Sequence, residues 1–218
     1  MGSDFHWLMC GFEQQEFDFA KSKLANAIQE PQRTDSQKEA LELYQNDSLM
    51  VLPKFIPTDQ LPADKKLQPG YEHGYIEPES FYHFLNAFWL AEIGDEVLQL
   101  PLSEQNVLSW ENYDHQPFAL LVFALGLSFN DALPGVYGNM FIEHEKLPYA
   151  IEKTEYALKK VNETTLNLLR RSFSVCSAGN ISLQFEQDIE KLCQSLPKQM
   201  KQAYQQHKHF AAFTFWMG

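Results

Sequence analysis

Ser128 is the first residue with a claim to chemistry. It stands in Gly126-Leu127-Ser128-Phe129-Asn130, at the end of the apolar run 118–129. A nucleophilic serine sits on such an elbow when the pattern is Gly-x-Ser-x-Gly, because small flanking residues allow the tight turn. Asn130 fills the last position and breaks the pattern. Asp188, then His207 or His209, follow in the Ser–Asp–His chain order, so a small hydrolase is one reading. No upstream His-Gly-Gly segment offers an oxyanion hole. The plain alternative is a serine buried in an apolar segment.

Histidines and acids form the other candidates. His207-Lys208-His209 would put both rings on one face of an extended segment, and Glu143-His144-Glu145 would do the same for two carboxylates. His73 and His83 lie near a Pro/Gly-rich stretch. None has the HExxH spacing, and two ligands are too few for zinc, so no metal site is expected. Glu77 with Glu79, Asp95 with Glu96, and Asp188 with Glu190 are the near pairs. Such pairs are ordinary among 29 acids, and only a cleft and a raised pKa would make one catalytic. Neither GxGxxG nor GxxxxGK[ST] occurs, so no nucleotide loop and no cofactor is expected. Cys10, Cys176 and Cys193 are odd in number and widely spaced, with no CxxC. Inert buried thiols in a reducing, cytoplasmic compartment are the expectation.

The elements that would carry these residues follow from periodicity. Residues 5–10 read as a strand, and Phe17, Ala20, Leu24 and Ile28 then fall at helical spacing. Ser36 with Glu39 fits a capping box for a short helix. Residues 49–55 read as a strand. Pro57, Pro62, Pro69, Gly70 and Gly74 mark 56–76 as a long loop, a length that is often functional. Phe81, Phe84, Leu85 and Phe88 form a wide helical face, which Gly94 would end or kink. Ser103 would cap a short helix reaching Trp110. The run 118–129 is long for a strand and reads better as a helix. Ile151, Leu158, Val161 and Leu168 line a helix over 148–171. Residues 173–176 and 181–185 suggest a hairpin around Gly179-Asn180. Leu192 and Leu196 mark a further helix, which Pro197 would interrupt unless it opens a next one carrying Met200, Ala203 and Tyr204. Residues 210–217 are apolar on both faces and should lie inside a sheet beside the N-terminal strand.

The expected fold is α+β: a predominantly helical single domain spanning 1–218. About six helices, by periodicity, surround a small antiparallel sheet that includes the N- and C-terminal strands. With 218 residues, 44% of them apolar, the chain can bury a large core. Its first residues lack a basic region, so no signal peptide is expected, and no apolar run is long enough to span a bilayer.

Charge sets the partner expectation. The chain has 17 basic and 29 acidic residues, a net −12. Residues 1–100 carry 17 acids and 7 bases, so nearly all the net charge lies there. That argues against nucleic acid and against an anionic membrane surface as partners. It favours a basic protein. The function expected is therefore a non-enzymatic acidic binding module, of the inhibitor or immunity type that neutralises a basic enzyme. Asp59, Asp64, Glu72, Glu77 and Glu79 are its candidate contacts, with Tyr71 and Tyr75 as aromatic anchors.

Overall fold

The structure, a computed structural model, describes residues 4–25, 34–46, 54–66, 75–76, 93–113, 133–134, 141–160 and 181–217. Two compact units emerge. The first comprises Met1–Gln32, Leu90–Val161 and Ile189–Gly218, and the second Arg33–Trp89 and Asn162–Asp188.

The first unit is built on a four-stranded antiparallel sheet. Strands β1 (Asp4–Phe12) and β6 (His209–Met217) are its centre, flanked by β4 (Val107–Tyr113) and β5 (Phe141–Ile142) in the order β4-β1-β6-β5. The expected pairing of the two terminal strands is present, in register from Asp4↔Met217 to Phe12↔His209. Period-2 alternation then sorts the side chains. Leu8, Cys10 and Phe12 share one face with Ala211, Phe213 and Phe215. Helix α1 (Gln14–Lys23) covers that face with Phe17 and Ala20, and α3 (Gly94–Leu98) adds Val97. Trp7, Met9, Phe210 and Ala212 point the other way and are equally buried, so both faces of the central strands are dry. Burying one such side chain stabilises by about 1.5–3 kcal/mol, which explains why runs so apolar lie at the sheet centre.

Helix α4 (Leu147–Leu158) and helix α5 (Ile181–Gln205), the latter from Ile189 onward, complete the first unit. The second unit holds α2 (Asp35–Asn46) and a strap. The strap is the segment between β2 (Phe55–Ile56) and β3 (Tyr75–Ile76), which pair antiparallel, and 57–66 is its described part. Within it lie a 3-10 turn, Thr58–Gln60, and one helical turn, Ala63–Lys66.

Several expectations change. Five helices are described rather than about six. One reason is that 107–110 is strand: Ser109, Glu111 and Tyr113 alternate inward along β4, where a helix from Ser103 was expected. Another is that the expected helix 118–129 lies outside the described residues. Gly94 opens α3, and the helix expected before it lies outside the described residues. Residues 181–185 form the first turns of α5, not the second strand of a hairpin. Pro197 lies inside that helix. An internal proline costs about 3 kcal/mol. Leu192, Leu196, Met200 and Ala203, all fully buried on one stripe, outweigh it. The α2 helix starts at Asp35, with the Lys38 amide on the Thr34 carbonyl, one residue before the expected cap. Among the described residues no helix is long and apolar enough to cross a membrane.

Candidate functional site

Among the described residues of the first unit, a dense polar cluster is centred on Glu111. Register places Ser109, Glu111 and Tyr113 opposite Met9, Trp7 and Phe5, on one face of the edge strand β4. Lys191 and Ser195 are one helical turn apart on α5 and reach the same carboxylate. Ser195 Oγ donates to Glu111 Oε1 at 2.6 Å and Ser109 Oγ to the same oxygen at 2.9 Å. Tyr113 Oη donates to Oε2 at 2.6 Å, and Lys191 Nζ lies 3.3 Å from it. Lys191 Nζ also sits 5.4 Å from the Tyr113 ring centroid.

Two opposing effects act on this carboxyl. Burial pushes its pKa up, but the hydroxyls of Ser195, Tyr113 and Ser109 and the Lys191 charge together hold it below the ordinary carboxylate range. A carboxylate offers about four lone-pair sites, and four donors fill them here. Glu111 therefore stays ionised and saturated. It is poorly suited to take a proton or ligate a metal, and well suited to fasten α5 to the edge strand.

The second cluster is aromatic. The His144 amide donates to His209 Nδ1 at 3.1 Å, so a neutral His209 carries its proton on Nε2. The His209 ring is buried and stacks on Phe17 at 4.6 Å. The His144 ring stacks on Tyr204 at 5.0 Å and lies 5.6 Å from His207. Two sequence-distant motifs thus meet, but not as expected. His207 and His209 do not share a face of an extended segment. His207 has φ 57° and is exposed, whereas His209 opens β6. Among the described residues no group of three or more His, Cys, Asp or Glu is placed to hold a metal.

The thiols are quiet. Burial, then the Glu16 charge, pushes Cys10 up, and burial with Glu190 pushes Cys193 to about 11. Cys176 lies outside the described residues.

The other expected site residues scatter. Ser128, Tyr71, Glu72, Glu77 and Glu79 lie outside the described residues. Asp188 is buried in the second turn of α5. Asp59 and Asp64 are exposed, on the 3-10 turn and the helical turn of the strap. Tyr75 is in β3, where it pairs with Ile56. The Glu111 cluster was not anticipated. Its one local signal is the Ser-x-Glu-x-Tyr alternation at 109–113, which has meaning only once 107–113 is read as strand.

Comparison with protein-family models, curated proteins and solved structures finds no match to this chain.

Proposed function

We propose that the chain is a non-enzymatic acidic module that binds a basic protein, of the inhibitor or immunity kind that occupies the cationic site of an enzyme. The observation that carries this reading is the pair of exposed acids on the strap. Asp59 and Asp64 are exposed on two short turns, and the β2–β3 pair closes the strap at its ends. A closed strap presents its charges with less ordering cost than a free loop. It also lies in the half of the chain that holds 17 of the 29 acids. Tyr71, Glu72, Tyr75, Glu77 and Glu79 would extend the same contact.

The test is capture from host lysate on the immobilised chain at low and high salt, with Asp59→Lys/Asp64→Lys beside it. A stoichiometric basic protein that is released by salt and fails to bind the charge-reversed variant supports the reading. A partner retained equally by both, or no partner at low salt, sinks it.

A further inference from the structure

Against the acidic background, the first unit carries a local reversal of sign. Helices α4 and α5 bound an open groove of about 920 Å³. Lys159, Lys198 and Lys201 line it, and among the described residues Glu155 is the single acid of its wall. Glu155 already shows how the groove treats a carboxylate. Lys201 Nζ lies 2.5 Å from its Oε1, and the charges of Lys201 and Lys159 help hold its carboxyl below the usual range. Among the described residues Lys198 has no acidic partner.

The remaining lining is amide-rich. Gln194, Gln202 and Gln205 each offer a donor and an acceptor, the complement of a peptide group. Gln194 Nε2 is held by Glu190 at one end.

We propose that this groove binds an extended acidic peptide segment, its carboxylates on Lys159 and Lys198 and its main chain on the glutamines. Lysines act as point charges and suit single carboxylates, and among the described residues no arginine lines the groove to select a planar phosphate fork. The inference stands apart from the strap acids Asp59 and Asp64, because it concerns side chains of opposite sign.

Fluorescence anisotropy with a labelled octa-glutamate peptide in about 0.1 M salt tests it. There the Debye length of about 10 Å screens the remote acids but leaves contact pairs. The net −12 of the chain opposes non-specific binding of such a peptide, so binding reports a local site. Octa-glutamate should bind and octa-glutamine should not. Lys159→Glu/Lys198→Glu should weaken binding by roughly tenfold or more, and Glu155→Gln should strengthen it about two- to fivefold. These side chains are on the surface, and circular dichroism checks that the fold is kept. Should the double variant misfold, Glu155→Gln alone decides: tighter binding supports the site and unchanged binding overturns it. Equal affinity of the folded double variant overturns the proposal. So does tighter binding of a single-stranded oligonucleotide of equal charge.

Discussion

At Glu111 desolvation and hydrogen bonding pull in opposite directions, and the bonds win because four donors converge on two oxygens. Replacement by glutamine keeps the shape but turns one oxygen into an NH2 group. That group faces either the two serine hydroxyls or the Tyr113 hydroxyl and the Lys191 ammonium. A buried donor set with a missing acceptor costs about 1–3 kcal/mol, and that is the destabilisation expected for Glu111→Gln in urea melts at neutral pH. The pH dependence has a definite sign. The folded pKa is lowered, so the stabilisation is present above the unfolded carboxylate range and is lost as pH falls through the folded value. The gap between wild type and Glu111→Gln should therefore narrow on acidification below about pH 4.5. Parallel stability curves down to pH 3 would remove the ionised hub. None of this was visible at the residue scale in the sequence. Glu111 and Ser195 are 84 positions apart, and no local rule couples them. The histidine doublet was visible as a motif, yet one left-handed residue separated its two rings.

Elements were legible where one period dominated. Strands β1 and β6 alternate cleanly, and their apolar character on both faces marks a sheet centre. Strand β4 was not legible, because Val107, Leu108 and Trp110 also satisfy helical spacing. Asn106 decides locally. Its side chain accepts from the Ser103 amide at 2.8 Å and donates to the Pro101 carbonyl at 2.6 Å, which closes the turn that launches the strand. Register against β1 then shifts between Met9 and Cys10, an irregularity no propensity encodes. The end of α5 is another hidden feature. The Lys208 amide bonds the Ala203 carbonyl and the His207 amide bonds the Tyr204 carbonyl, so His207 takes the left-handed position of a Schellman cap that glycine usually fills. A non-glycine residue there costs about 1–2 kcal/mol of backbone strain. Glycine relieves that strain but frees the unfolded chain by about 0.4–1 kcal/mol and forfeits the His144 ring contact. His207→Gly should accordingly hold or slightly raise the thermal midpoint. His207→Val should lower stability by about 1–2 kcal/mol, since a β-branched residue tolerates positive φ worst. Equal stabilities of the two variants would argue that the cap geometry is not what ends the helix.

At the scale of the whole molecule, charge is the property that composition made plain and that packing does not remove. A net −12 on 218 residues produces self-repulsion whenever the Debye length exceeds the spacing of the charges. At 0.01 M ionic strength that length is about 30 Å, and at 0.15 M it is about 8 Å. Ion pairs act in the opposite direction and are weakened by the same salt. Among the described residues Lys21 and Lys146 with Glu143, Lys38 with Asp35 and Lys201 with Glu155 pair on the surface, where a pair is worth about 0–1 kcal/mol. Glu111 is largely shielded and should be affected least. The balance falls on the side of repulsion, because 12 acids remain after every base is matched. Raising sodium chloride from about 0.01 to 0.15 M should stabilise the fold by about 1–2 kcal/mol, read as a rise of roughly 2–8 °C in the unfolding midpoint by calorimetry. A midpoint that falls over this range would mean that the ion pairs outweigh the excess acids. The role of the strap acids Asp59 and Asp64 would then have to be argued from their local geometry, without help from the field of the chain.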